Sequence, residues 1–355
     1  MAQARDEQAH HRRRRELAPR GATPPAVVAV EVDGGRLRTR APARGPGVHA
    51  AENKEDKIAC LVTLTDVEYA EDPQPEPPPS FAQPRRIQRL VQQMAGPAGE
   101  RTAPTDEPPT GPEADAPSAP PVASGADPQA EPWSPRRLVR TCVASMARSR
   151  SFGPLMAAEA RRRNFYAARR RAFVADGQAY NWSIQRGYFA DFVPIVDLLH
   201  VVCYLFKAAQ GVAAEAERWP LYVRWLRCCW QGQVAEVIRQ LEGYAERLGR
   251  PPPKEDLAAA DPRRLVAEAL SYLRNNAGRM DYPSYRRQGL PTTSSLAESL
   301  VGEFNARVKS KQKHWNRPAG AEAVLQVRAA LLSEDGRLER FFAERPGSPY
   351  RRRLG

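Results

Sequence analysis

An α/β domain with a helical insertion is the architecture this sequence predicts, and three observations predict it. Short β-rich apolar runs open the patterned part of the chain, at AVVAVEVD (26–33) and KIACLVTL (57–64). Two more short runs, AFVAD (172–176) and VPIVD (193–197), lie among helical patterns. From about 198 to 280 the apolar spacing is helical almost throughout. Strands first, then mixed elements, then helices suit one sheet with helices packed on it.

The elements follow in order. Residues 1–24 carry HHRRRRELAPR without apolar periodicity and read as a disordered basic leader. Segment 25–95 starts the folded domain: its first strand is expected to end at Asp33-Gly34-Gly35, a turn signal, with another short strand near Arg36–Arg40 before KIACLVTL. Residues 96–133 are rich in Pro, Ala and acidic residues and lack aromatics before Trp133, so they read as a disordered insertion. Segment 134–200 should open with a helix, with Ser134 as N-cap and Pro135 in the first turn, and helical pattern runs on through 153–171. Two short strands come next, ended by Asp176-Gly177 and by Asp197. Segment 201–285 is the helical insertion, with Trp219, Trp225 and Trp230 and a Pro-rich break at 251–253. Segment 286–345 holds the loop GLPTTSS and helices near 295–310 and 319–332, and 346–355 is a basic tail.

Bulk properties narrow the function. The 355 residues include 34 prolines and a formal net charge of +13. With a pI of about 9.8, a polyanionic partner is indicated, although charge alone fits a ribosomal or chromatin-binding protein as well as a DNA enzyme. No run of about 18 apolar residues is present, and the basic start lacks the apolar core of a signal peptide. The five cysteines (Cys60, Cys142, Cys203, Cys228, Cys229) form no CxxC pair and read as reduced, mostly buried thiols of a cytoplasmic protein.

Three carboxylates occupy comparable places: Asp33 and Asp176 at strand ends, and Glu298 in the first turn of a helix. Gathered at one sheet edge they would repel, unless a hard divalent cation sits between them. Each also has a plain structural explanation. Asp-Gly is a standard turn pair, Ser295-Leu296-Ala297-Glu298 fits a capping box, and Asp197 suits an N-cap. His200 reads equally as a packed histidine or as a group at the site's edge, and the three tryptophans read as core.

The order and wording of longer motifs go further. VAVEVDGGRLRTR, ENKEDKIACLVTL, FVADGQAYNW, VPIVDLLHVVCYL, the stretch YLRNNAGRMDYPSYRRQGLPTTSSLAESLVGEFNARVKSKQKHW and GAEAVLQVRAALL together resemble the catalytic domain of ISKra-type insertion-sequence transposases over about 26–345, apart from the Pro-rich block. The resemblance implies an RNase H-like mixed sheet flanked by helices, with an all-helical insertion before the last catalytic residue. It implies a DDE triad of Asp33, Asp176 and Glu298 holding Mg²⁺ or Mn²⁺, two ions in all. Mutator-like relatives add a C/D-x2-H motif, matched here by Asp197 and His200 as accessory positions. The implied reaction is metal-dependent cleavage of DNA at transposon ends and transfer of the freed 3′-hydroxyl into target DNA. The implied partners are double-stranded DNA and a second copy of the chain or more, with no membrane; the implied place is the cytoplasm, at the nucleoid. Arg161, Arg162 and Arg163, with Arg307, Lys309, Lys311 and Lys313, are the expected phosphate contacts. Relatives carry an N-terminal DNA-binding region that this sequence does not display. The alternatives are therefore another RNase H-like nuclease or resolvase, and a truncated, inactive DNA-binding relic.

The composition of 96–133 makes its own prediction. Deleting the segment should move the thermal midpoint by less than roughly 2 °C, and calorimetry showing a larger loss would mean that it packs.

Overall fold

The computed structural model describes residues 23–40, 52–95, 134–249, 258, 260–309 and 315–345. The basic leader up to residue 22, the insertion 96–133, the break at 251–253, Lys311, Lys313 and the basic tail lie outside the described residues.

A five-stranded mixed sheet organises the rest. β1 (Val27–Thr39) pairs antiparallel with β2 (Glu52–Leu64), and β2 pairs antiparallel with β3 (Arg137–Ser145). β4 (Arg170–Ala175) runs parallel to β1, and β5 (Val193–Val196) parallel to β4, giving the order β3-β2-β1-β4-β5. Helices flank it: α1 (Pro84–Ala95), α2 (Ser149–Arg162), α3 (Ala179–Tyr188), α4 (Leu198–Val212), α5 (Glu215–Trp230), α6 (Val234–Leu248), α7 (Pro262–Asn276), α8 (Tyr282–Arg287), α9 (Ser295–Val308), α10 (Pro318–Leu332) and α11 (Arg337–Glu344). Side chains alternate between the two faces of a strand. Phe173 of β4 meets the Trp182 ring of α3 at 6.3 Å, while Glu31, paired with Val174 on the other face, bonds to α9. The central strands are therefore covered on both sides, which is why Val27–Val30 and Ile58–Val62 are continuously apolar and buried.

The sequence expectations need four corrections. Asp33 does not end its strand: β1 runs through Asp33-Gly34-Gly35 to Thr39, and the short strand expected near Arg36–Arg40 is its second half. The glycines serve close approach rather than a turn, since a Cβ on Gly34 would lie 2.7 Å from the Asp56 carbonyl oxygen. Ser134-Pro135 precedes a strand, not a helix, because RLVRTCVAS is β-branched enough to extend the sheet beside β2. The helical pattern at 153–171 stops at Arg162: Asn164 takes a left-handed φ of 57°, and Arg170 and Arg171 already belong to β4. The last acidic helix ends at Val308, so Lys309 is extended and no continuous helix carries Arg307 on to Lys311 and Lys313.

The helical insertion between β5 and α9 packs around aromatic side chains, as its tryptophans suggest. Trp225 and Trp230 are fully buried, their ring N–H groups donating to Gln240 Oε1 at 2.8 Å and to the Gln74 carbonyl at 2.7 Å. Arg286, also fully buried, lies 4.1 Å from the Trp230 ring centre and bonds to Asp72 at 2.7 Å. No helix among the described residues is long and apolar enough to cross a membrane.

Two glycines give opposite expectations. Gly34→Ala should destabilise by roughly 1–3 kcal/mol, because the β1–β2 backbones must part. Gly187→Ala, in open space on α3, should stabilise by up to about 1 kcal/mol in the same denaturant titration, and equal effects at both sites would refute the close-approach account.

Candidate functional site

The strand register brings the acidic residues together. Val32 pairs with Ala175, and Ala175 with Val196, so the next residues, Asp33, Asp176 and Asp197, continue one row across β1, β4 and β5. Neighbouring strands are about 4.8 Å apart, and all three positions fall on the face of Glu31 and α9. Glu298 lies one turn into α9, near Asp197 and His200. One ligand atom each of Asp197, His200 and Glu298 lie within 4.8 Å of one another.

Each carboxylate is oriented by donors. Asp176 follows β4, where its Oδ1 accepts from the Gln178 amide at 3.0 Å and Asn181 Nδ2 at 2.8 Å, and its Oδ2 from Gln178 Nε2 at 2.8 Å. Gly177, with φ 89°, makes the turn, and the Tyr272 hydroxyl donates to the Asp176 carbonyl at 3.1 Å. Asp33, nearly buried, accepts from the Gly34 amide at 2.7 Å.

Asp197 is the most heavily committed. It is fully buried and caps α4 through Leu199 N at 3.0 Å. It also accepts from Ser294 N at 3.2 Å and Ser294 Oγ at 2.6 Å, and its Oδ2 lies 3.0 Å from His200 Nδ1. Two contacts fall on each oxygen, which leaves Asp197 little capacity to ligate a metal despite its place in the cluster. It acts instead on His200, fixing its Nδ1. Burial alone would lower the His200 pKa. The Asp197 hydrogen bond and charge, with Asp176 and Asp33 nearby, raise it to about 9, and the side chain keeps 14% exposure.

The capping box expected at Ser295–Glu298 is not what forms. The N-cap is Ser294, one residue earlier, which makes Glu298 the fourth helical residue, and the cap's amide bonds to Asp197. The helix is capped from outside. Glu31, fully buried on β1, accepts from Ala297 N at 2.9 Å. Burial pushes the Glu31 carboxyl up to about 8 against that bond.

Two residues that bear on the site were missed from sequence. Glu31 had a signal, being the one charge inside an apolar run and two residues from Asp33, hence on its face. Asp56 is paired with Gly35, is fully buried, and its carboxylate oxygens accept no hydrogen bond from another described residue. Burial pushes it up to about 6, against the Lys309 charge. Nothing in its local sequence set it apart.

The expected phosphate contacts fare unevenly. Arg161 is buried. Arg163 turns inward, donating to Leu61 O at 2.6 Å and Val139 O at 3.1 Å and to the hydroxyls of Thr141 and Thr63. Arg162 is exposed but pairs with Glu159. Arg163 thus joins α2 to β2 and β3, and Arg162 pairs within its own helix. Arg307 is exposed in the last turn of α9, and Lys309 sits close enough to Asp56 to bias its charge.

No family model, curated protein or solved structure matches this chain. The functional reading therefore rests on the site's own geometry and on the motifs of the sequence.

The raised His200 pKa predicts a pH dependence. A folded value near 9 against 6.5 unfolded means that protonated His200 stabilises the metal-free fold fully below about pH 6.5, and that this is lost as pH rises through 9. The stability gap between the wild type and His200→Gln in EDTA should shrink by roughly 3 kcal/mol from pH 6 to pH 10. A gap that stays constant across that range would show that His200 is not held as a cation.

Proposed function

We propose that this chain is the catalytic part of a DDE-type DNA transposase, cleaving DNA at transposon ends and joining the freed 3′-hydroxyl to target DNA. The observation that carries the reading is the single row of Asp33, Asp176 and Asp197, with Glu298 beside Asp197 and His200. The five-stranded mixed sheet flanked by helices, with a helical insertion ahead of the last acidic helix, agrees with the RNase H-like architecture that the motifs imply.

The residues fit a hard divalent cation. Asp33, Asp176 and Glu298 would offer carboxylate oxygens, the donor type that Mg²⁺ or Mn²⁺ takes, and Glu298 stands with Asp197 and His200 in a group whose ligand atoms lie within 4.8 Å of one another. When bound, a pair of such ions activates the attacking hydroxyl and stabilises the leaving oxygen at phosphorus. The chain's own groups supply orientation. Gln178 and Asn181 fix the Asp176 carboxylate, Asp197 fixes His200, and Glu31 with Asp197 holds the turn that carries Glu298. Arg307 and Lys309 are the described residues we assign to the phosphate backbone, where neutralising a contacting cation should flatten the salt dependence of binding by about one unit of slope.

The test uses duplexes taken from the DNA flanking the gene, end-labelled, with a supercoiled plasmid as target. Mg²⁺- or Mn²⁺-dependent joining is expected from the wild type and should vanish in Asp33→Asn, Asp176→Asn and Glu298→Gln with folding intact. Hydrolysis without joining would make the chain a nuclease or resolvase. Salt-sensitive binding without metal-dependent cleavage would make it a DNA-binding relic.

A further inference from the structure

The helix that carries Glu298 lacks a capping bond from its own N-cap side chain. Ser294 makes no side-chain bond to the helix, because its hydroxyl donates to Asp197 at 2.6 Å. The first-turn amides still need acceptors, since no intrahelical carbonyl reaches them. Glu31 provides one from a different element: its Oε2 accepts from Ala297 N at 2.9 Å, and the Leu296 amide lies near enough to favour its charged form. Its Oε1 has no hydrogen-bond partner among the described residues, so the side chain is held on one side only, by the helix.

Glu31 is wholly buried and stands two residues before Asp33 on the same face of β1. An isolated buried carboxylate is costly, and an apolar residue would fill the place at less cost. What a carboxylate does here that an apolar residue cannot is bind the turn. Glu298 comes directly after Ala297, so a shift of that turn moves Glu298 relative to Asp33 and Asp176.

We propose that Glu31 is a positioning residue: by capping α9 from β1, it sets the place of Glu298 and thereby the metal affinity of a site it does not itself ligate. The inference rests on the reading of Asp33, Asp176 and Glu298 as metal ligands.

The test is Mn²⁺ binding to the full chain without DNA, followed by electron paramagnetic resonance of free Mn²⁺, beside hydrogen exchange at the Leu296 and Ala297 amides. Glu31→Gln keeps an acceptor and should stay within about threefold of the wild type, with both amides protected. Glu31→Leu removes the acceptor and should weaken Mn²⁺ binding by about 10–100-fold, the scale seen when ligand-supporting groups are lost. It should also lose amide protection while the rest of the chain stays folded. If Glu31→Leu does not fold, Glu31→Asp carries the same test, since it keeps the carboxyl group but withdraws it by one methylene; weaker Mn²⁺ binding is expected. Wild-type affinity in Glu31→Leu or Glu31→Asp would overturn the proposal, as would a loss in Glu31→Gln as large as in Glu31→Leu. A wild type that binds no Mn²⁺ while the amides stay protected would instead remove the metal reading, and the inference with it.

Discussion

Asp197 is fully buried and bonded at once to the start of α4, to His200 and to Ser294 ahead of α9. Carboxylates gathered at one edge repel, and without fixed donors they would become protonated or splay apart. The donors around Asp197 keep it in place, and it in turn holds the two helices that carry His200 and Glu298. Glu31 does the same from the β1 side. The acidic row is thus built from two kinds of carboxylate. Asp197 takes two contacts on each oxygen and acts as structure, while Asp176 Oδ2 accepts a single hydrogen bond, from Gln178.

This division explains which parts of the site could be read from sequence. Asp33, Asp176 and Glu298 stand out through their motifs, and the two short parallel strands are bounded almost correctly because each is an apolar run ended by aspartate. That the three aspartates share a row is not legible, because register depends on which strands are neighbours, and β1 and β4 are far apart in sequence. Local signals also mislead where a longer-range partner decides the outcome. Asp33-Gly34-Gly35 has the wording of a turn, yet thirteen consecutive residue pairs with β2 carry the strand through it. Ser134-Pro135 has the wording of a helix start, yet β2 offers an open edge that β-branched residues extend.

The arginines teach a related lesson about charge. A run such as Arg161-Arg162-Arg163 raises the net positive charge, and on sequence alone it should face phosphate. In the fold, Arg163 satisfies carbonyls and hydroxyls of two strands, and Arg337 reaches from α11 to Glu159 at 2.7 Å. A guanidinium carries five donors in a fixed fork, so it can bridge several buried acceptors that a lysine could not. Net charge therefore does not by itself locate a basic face on the fold.

The helical insertion meets the site at its root rather than hanging beside it. The chain leaves the sheet at Asp197 and returns at Ser294, and these residues, 97 apart in sequence, are bonded to each other. Leu198 N also donates to Thr292 O at 3.1 Å. The insertion's entrance and exit are thus closed by the carboxylate that orients His200. Loop-closure cost grows only slowly with length, so a unit whose ends are pinned in this way can be large without displacing the helix α9 beyond it. The unit also returns contacts to the acidic edge: Tyr272 bonds the Asp176 carbonyl, Asn276 accepts from the Trp182 ring, and Tyr282 bonds the Val196 carbonyl at 2.9 Å. Its packing therefore braces the ends of β4 and β5 from behind. Glu298 can lie far along the chain from Asp176 and still be placed by the same few hydrogen bonds.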